Sequence, residues 1–169
     1  MSTEERNYLW QRRYEIKLRA LMNRMYYLER QRLFEFREGA IKALSIVAGS
    51  VALAKVADPD ILQICAALIT LGSTFSLVFG YGNKARESVK LATEWTQLER
   101  DIDSAGERTF TEAQLDQWQA RCSEIEAGEP PAHKLLLNRC NERAVKALGG
   151  QSDYKLNFIE RILPLVLVP

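Results

Sequence analysis

The feature that most constrains this chain is an uncharged run at residues 61–81, which contains no Asp, Glu, Lys or Arg. As an α-helix this run would be about 31 Å long, close to the thickness of the hydrocarbon core of a bilayer. Its Leu, Ile, Val, Phe and Ala side chains would cover the whole circumference of that helix, whereas a surface helix of a soluble protein keeps one polar face. The run therefore predicts a transmembrane helix.

A second apolar stretch precedes this run and is separated from it by the turn Asp58-Pro59-Asp60. Lys42 and Lys55 bracket its apolar core, near the ends, where long side chains can reach the membrane interface. We therefore expect residues 39–82 to form a transmembrane helical hairpin with spans at about 41–57 and 61–81. The alternative is that the two stretches are the central helices of a soluble bundle.

Basic residues are concentrated outside the predicted hairpin, at Arg24, Arg30, Arg32, Arg37, Lys42, Lys84, Arg86 and Lys90. The connecting turn offers only Lys55 beside two aspartates. The positive-inside rule then places both termini in the cytoplasm and the turn outside. The first six residues have no apolar core, so we expect no cleaved signal peptide.

Residues 26–37 mix aromatic side chains with arginines. Such a mixture binds single-stranded nucleic acid in some proteins, but next to a span it is typical of an interfacial anchor. The formal net charge of +1 gives no general attraction for nucleic acid, so we expect no nucleic-acid partner. The predicted membrane-interface residues are Arg30, Arg32, Phe34, Phe36, Arg37, Lys42, Lys84 and Arg86.

Residues 1–38 are predicted to form a cytoplasmic basic-aromatic helix. Its apolar seam of Leu18, Leu21, Met25 and Leu28 indicates a partner helix in the same chain or in another copy. Residues 83–150 are predicted to be a cytoplasmic helical region. Its buried stripes would be Leu91, Trp95, Leu98 and Ile102 in one helix, and Leu115, Trp118, Cys122 and Ile125 in the next.

That second helix has a capping-box pattern, Thr111 followed by Gln114, and a third helix is expected at about residues 133–148. Residues 151–169 form an apolar C-terminal tail that is too short to span a bilayer and contains Pro164, and we expect it to pack within the assembly. The fold expectation is an all-α integral membrane protein.

Two patterns inside the spans point to function. Gln63, Thr70 and Thr74 share one helix face and would line a polar path in an oligomer, unless the hydroxyls bond to backbone carbonyls instead. Small residues recur at four-residue spacing and allow close helix packing, within the hairpin or between copies. They are Gly72, Ser76 and Gly80 in the second span, and Ser45 and Gly49 in the first.

The chain shows no pattern typical of an enzyme. It lacks a glycine-rich phosphate loop, paired histidines and a nucleophile elbow, and its one histidine, His133, is expected to be a surface or capping residue. Cys65, Cys122 and Cys140 form no CxxC pair and are expected to be reduced thiols. We therefore expect no catalytic activity, no cofactor and no metal.

The order of these features resembles the bacterial SLATT family. The resemblance covers about residues 20–105 and is carried by Tyr27-x-x-Arg30, Arg32-x-Phe34-x-Phe36, the two apolar stretches, Asn83-Lys84-Ala85-Arg86 and Leu91-x-x-x-Trp95-x-x-Leu98-x-x-x-Ile102. SLATT proteins are two-transmembrane effectors found with nucleotide-signal synthases and SLOG-type sensors. The resemblance implies an effector that oligomerises and permeabilises the bacterial inner membrane in antiviral or abortive-infection defence. The sensor would then be either a separate cytoplasmic protein or the helical region after Ile102.

The functional expectation is thus a homo-oligomeric membrane effector that forms or gates a pore. The first alternative is a non-conducting membrane-anchored scaffold that recruits a cytoplasmic partner. The second is a soluble helical bundle.

Overall fold

The computed structural model describes residues 3–54, 58–107 and 109–151. Within these ranges the chain forms α1 (Thr3–Ala54), α2 (Pro59–Phe79), α3 (Tyr81–Ser104), α4 (Glu112–Ala127) and α5 (Lys134–Ala147), and no strand. The all-α expectation is confirmed. The predicted packing of the apolar tail concerns residues 152–169, which lie outside the described residues.

Helix α1 is continuous over 52 residues. It passes through Gly39, the first residue of the predicted hairpin, where the sequence predicted the boundary between an N-terminal helix and a first span. A helical glycine costs only about 1 kcal/mol relative to alanine, so one glycine with long helical segments on both sides does not end the helix. The N-terminal helix and the first apolar stretch are therefore parts of one element.

The described chain divides into two compact units. We call residues 3–29 together with 88–151 the bundle, and residues 30–87 the hairpin. The bundle contains the N-terminal half of α1, most of α3, and α4 and α5. Its core is made of large apolar side chains from all four helices, among them Leu9, Ile16, Leu21, Leu91, Trp95, Leu98, Ile102, Leu115, Trp118, Ile125 and Leu136.

The predicted stripes of α3 and α4 are both buried in this core. Helix α4 begins as expected at a capping box: the Thr111 N–H donates to Gln114 Oε1 at 2.9 Å, and the Gln114 N–H donates to Thr111 Oγ1 at 3.3 Å. Two of the four free N–H groups of the first turn are commonly satisfied in this way. The local sequence signals were sufficient for both helices.

The apolar seam predicted on α1 is wrong in its register. Leu28 is 39% exposed and Leu18 and Met25 are half-buried, so Leu21 is the one fully buried member of the predicted set. The buried face instead includes the polar residue Arg13, whose Nη2 donates to the Ile102 carbonyl at 3.0 Å. The predicted seam was chosen from apolar residues alone, so a buried arginine could not belong to it. The sequence pattern therefore predicted a face of α1 next to the one that is buried.

Ion pairs join α1 to the other bundle helices along the rim of the core. Because each lies at least partly in solvent, each is worth no more than about 1 kcal/mol, and their main effect is to set which side chains face each other. The pairs are Arg12–Asp116 (2.9 Å), Lys17–Asp103 (2.6 Å), Arg19–Glu126, Arg24–Glu99 (2.9 Å) and Glu29–Arg143 (2.5 Å).

In the hairpin, α2 begins and ends at clear signals. Asp58 is the N-cap residue and accepts a hydrogen bond from the Ile61 N–H at 3.4 Å, and Pro59 occupies the first turn, where its missing N–H costs nothing. Gly80 ends the helix with a left-handed φ of 59°, a conformation that favours glycine. Helix α3 starts at the next residue.

Candidate membrane-inserted hairpin

Among the described residues, one helical stretch, which begins at Pro59, is long and apolar enough to cross a bilayer. Only 6% of its most apolar window is buried inside the protein. The core helix of a soluble protein is mostly buried, whereas α2 leaves large apolar side chains such as Leu71, Leu77 and Val78 exposed. The exposed surface of α2 is therefore mainly hydrocarbon.

The C-terminal part of α1 also exposes apolar side chains, including Leu44, Ile46 and Leu53. Its described apolar run is shorter than a span, because Lys42 precedes it and α1 ends at Ala54. The described part of the expected first span at about 41–57 is therefore not long and apolar enough to count as a candidate span. Residues 55–57 of that span lie outside the described ranges. The structure supports one candidate span where the sequence predicted two.

Helices α1 and α2 pack against each other through small residues. A methyl group added at Gly72 would lie 3.5 Å from Ile41 Cγ2 and 3.8 Å from Ser45 Oγ. Ala48 on α1 and Cys65 on α2 are the buried residues of this part of the pair. Small side chains let two helix backbones approach closely, so Gly72 and Ser45 from the predicted stripes serve packing within the chain.

The other predicted packing residues have different surroundings. A methyl group at Gly49 or at Gly80 would meet no atom within 4 Å, so neither makes a close helix contact, and Gly80 acts instead as the left-handed end of α2. Ser76 lines an open groove of about 510 Å³ with Ile41, Ser45, Ser73 and other residues of both helices. Ser73 is a groove residue that the four-residue spacing missed, because it lies one position outside the stripe.

The predicted polar face of α2 is exposed at all three positions, Gln63, Thr70 and Thr74. Thr70 Oγ1 donates to the Ala66 carbonyl and Thr74 Oγ1 to the Thr70 carbonyl, both at 2.8 Å. Both hydroxyl protons are thus donated to backbone carbonyls of the same helix, which was the alternative to a polar path in the sequence analysis. Each oxygen can still accept a hydrogen bond from outside.

The predicted membrane-interface residues fall into two groups. Arg32, Phe36, Lys42 and Arg86 are exposed, and Lys42 forms an ion pair with Glu38 at 2.7 Å. Arg30, Phe34, Arg37 and Lys84 come together with Tyr81 in a cluster of cations and aromatic rings. Tyr81 was not among the predicted interface residues, although a tyrosine at the end of an uncharged run is a typical interfacial residue.

The bundle contains a separate polar cluster around Glu129. Trp95 Nε1 donates to Glu129 Oε1 at 2.7 Å, and Tyr27 also bonds to this carboxyl. Burial raises the pKa of Glu129 above its ordinary value of 4.5, against the opposing hydrogen bonds from Trp95 and Tyr27. Nearby, Tyr26 Oη accepts from the backbone N–H of His133 at 2.9 Å.

His133 is the N-cap residue of α5, but its side chain makes no capping hydrogen bond. Its expected place at a helix start is correct, and a capping role for its side chain is wrong. All three cysteines are free and buried, and burial raises the pKa of Cys122 and of Cys140 to about 11, so both thiols are protonated at neutral pH. No set of three or more His, Cys, Asp or Glu residues suited to a metal occurs in the part of the chain that the structure describes.

No family model, no curated protein and no solved structure matches this chain.

Proposed function

We propose that the protein is an integral membrane protein whose hairpin inserts into the bacterial inner membrane and displays the bundle on the cytoplasmic side. The observation that carries this proposal is the exposure of α2, which is uncharged from Ile61 onward and has Cys65 as its one buried residue. In water such a surface favours aggregation, whereas in lipid it is stable without further burial. The basic residues on both flanks support a cytoplasmic location for both termini.

Within the membrane, we propose that copies of the hairpin self-associate and form or gate a pore. The polar face of Gln63, Thr70 and Thr74 lies outside the α1–α2 contact and is free to face a neighbouring copy or a water-filled path. Hydroxyl and amide groups on one exposed face are the kind of lining that lets water or ions pass between apolar helices. The resemblance to SLATT proteins implies a role in antiviral or abortive-infection defence, with the signal sensed by a separate protein or by the helical region after Ile102.

A non-conducting scaffold is the second candidate, and a specific observation favours it. Thr70 and Thr74 already donate their hydroxyl protons to carbonyls of their own helix, so the structure contains a use for both residues that needs no pore. In this alternative the hairpin only anchors the chain, and the bundle recruits a cytoplasmic partner.

Dye release from liposomes that contain the purified full-length chain separates the two candidates. The double variant Thr70→Val/Thr74→Val keeps the side-chain shape and removes both hydroxyls. We expect it to reduce release at least about tenfold if the polar face lines a pore. Thr93→Val/Thr96→Val is the matched control, because these bundle threonines make the same bonds to carbonyls four residues earlier.

Equal release from the variant and the control contradicts a pore lined by this face. No release from any form, the unchanged chain included, favours the scaffold. Extraction of the unchanged chain from membranes by alkaline carbonate contradicts membrane insertion itself and leaves the soluble bundle.

A further inference from the structure

A single residue separates α2 from α3. Helix α2 ends at Phe79 and α3 begins at Tyr81, and Gly80 between them has a left-handed backbone, with a φ of 59° and a ψ of 37°. Other glycines of the hairpin lie inside helices without interrupting them. They are Gly39, Gly49, Gly72 and Gly82. A glycine alone therefore does not break a helix in this chain, and the contacts around Gly80 have to account for its conformation.

The break removes backbone hydrogen bonds. The Gly80 N–H donates to the Ser76 carbonyl at 3.1 Å, and the Lys84 N–H donates to the Gly80 carbonyl at 3.0 Å. Between these two bonds, the N–H groups of residues 81–83 and the carbonyls of residues 77–79 belong to helix ends and have no partner within their own helices. In one continuous helix these three donors would bond to these three acceptors. The bent joint therefore needs other interactions to offset three lost hydrogen bonds.

Glu38 of α1 provides the first of these interactions. A Cβ added at Gly82 would lie 2.9 Å from Glu38 Oε2 and 3.2 Å from Glu38 Oε1, so the carboxylate lies directly against the first turn of α3. The Glu38 side chain is 27% exposed and also pairs with Lys42 of its own helix at 2.7 Å. The first turn of α3 has no Asp or Glu of its own. Because a negative charge stabilises a helix N-terminus, Glu38 favours the form in which α3 begins at Tyr81.

Aromatic rings provide the second interaction. The rings of Phe79 and Tyr81 stack with their centroids 5.7 Å apart and an interplanar angle of 9°, and Tyr81 also stacks on Phe34 at 6.2 Å. In a regular helix, residues two positions apart point about 200° away from each other, so Phe79 and Tyr81 would lie on opposite sides. The left-handed Gly80 brings the two rings together. The stack of Phe79 on Tyr81 therefore exists only in the bent form.

We propose that the joint between α2 and α3 is a two-state switch and that the Glu38 carboxylate holds it in the bent form. In the straight form Gly80 is helical, the three backbone bonds are made, and Pro59–Ser104 is one helix of 46 residues. The sequence contains no proline between Asp60 and Ser104 that would prevent this. Because α2 is the candidate span, straightening changes the direction in which the span leaves α3. The inference goes beyond the proposed pore, since the joint can switch in a hairpin that conducts nothing.

The test measures the distance across the joint in the full-length chain in detergent. Spin labels are attached at Leu71→Cys and Glu87→Cys, two exposed positions of α2 and α3, after replacement of the three native cysteines by alanine. Sixteen residues of continuous helix span about 24 Å, so a straight joint gives about this separation and a bent joint a shorter one. We expect double electron–electron resonance to give the shorter distance when Gly80 and Glu38 are unchanged.

The double variant Gly80→Ala/Glu38→Gln should shift the population to the longer distance. Alanine is strained in the left-handed region, and a neutral amide carries no charge for the helix N-terminus, so together they should favour the straight form about fifteenfold. Gly80→Asn/Glu35→Gln is the matched control. Asparagine tolerates the left-handed region, and Glu35 is an exposed carboxylate of α1 that bonds to Gln31, so the shorter distance should remain.

The other outcomes overturn the proposal. An unchanged short distance in Gly80→Ala/Glu38→Gln shows that the bend is fixed. Equal lengthening in both double variants shows that any side chain at position 80 straightens the joint and that Glu38 does not hold it. If circular dichroism shows that Gly80→Ala/Glu38→Gln is unfolded, Gly82→Ala alone should raise the population at the longer distance, because its methyl group displaces the Glu38 carboxylate. No change in Gly82→Ala then rejects the switch.

Discussion

The bundle part of α1 and the part of α1 beyond Gly39, in the hairpin, distribute their side chains in opposite ways. In the bundle, α1 buries Leu9 and Ile16 and exposes charged residues that pair with other helices. Beyond Gly39, the same helix exposes Leu44 and Ile46, whereas the small Ala48 is buried. Water rewards the burial of large apolar side chains, and lipid does not. The contrast indicates that the two units are suited to different surroundings.

The contrast also appears in how each unit holds its helices together. The bundle combines a core of large side chains with ion pairs at its rim. The hairpin uses close approach at Gly72, stacked rings and cations held over aromatic faces. Truncation of a large side chain should therefore destabilise the bundle more than the hairpin. Introduction of a charge at an exposed position should be tolerated in the bundle and not in the hairpin.

The largest difference is expected from truncation of an aromatic residue. Trp118→Ala empties a position in the bundle core and should lower the free energy of unfolding by about 3–5 kcal/mol. Phe75→Ala removes an exposed ring and should cost about 1 kcal/mol, mostly its stacking on Phe79. Denaturant unfolding in detergent, followed by far-UV circular dichroism, measures both. Similar losses would contradict the contrast.

A charge on an exposed leucine should give the reverse order. Leu71→Arg places a guanidinium near the middle of α2 and should cost about 2.5–3.5 kcal/mol of membrane insertion. Leu28→Arg changes an exposed leucine of the bundle and should change stability by about 0.5 kcal/mol. The fraction of chain in the carbonate-resistant pellet reports the first effect. Equal tolerance of both substitutions would indicate that the hairpin lies in water.

Sequence patterns were most informative where one local rule decides the structure. The capping box at Thr111 and the buried stripes of α3 and α4 follow from periodicity and from one side-chain hydrogen bond, and all are observed. The uncharged run predicted α2, because a lack of charge over 21 residues is a property of the run itself. These features need no knowledge of the rest of the chain.

Features that depend on partners distant in sequence were less predictable. The buried face of α1 was misplaced because Arg13 becomes buried only when the Ile102 carbonyl and the Phe110 ring are near it. Gly80 matched a packing stripe by spacing, yet its role depends on backbone conformation, which spacing does not report. The cluster at Phe34 joins residues of two helices about 50 positions apart. The sequence shows that these cations and rings exist, but not that they come together.

A smaller effect sharpens the description of the hairpin interface. Gly72→Leu would push against Ile41 and Ser45 and should cost about 1–3 kcal/mol. Gly49→Leu enters open space and should cost less than about 0.5 kcal/mol. Thermal unfolding in detergent gives both values. A fall in the mass of the detergent-solubilised particle with Gly72→Leu, at unchanged stability, would assign Gly72 to contacts between copies.

The smallest expected effect concerns the polar cluster of the bundle. Because the pKa of Glu129 is raised by burial, its carboxyl binds a proton more tightly in the folded chain. Its contribution to stability is therefore complete below pH 4.5, the ordinary value, and is lost as pH rises through the raised folded value. The groups around the carboxyl are Trp95 and Tyr27, which bond to it, with Glu126 and Arg19 nearby.

Glu129→Gln keeps an oxygen that can accept from Trp95 and removes the ionisation. The melting temperature should then vary less with pH above 4.5, and stability at neutral pH should change by less than about 1 kcal/mol. Glu124→Gln, which removes an exposed carboxylate of α4, is the control for the loss of one charge. If the melting temperature of Glu129→Gln varies with pH as much as that of the unchanged chain, this carboxyl does not link the folding of the bundle to pH. The contrast between the two units would then depend on side-chain burial alone.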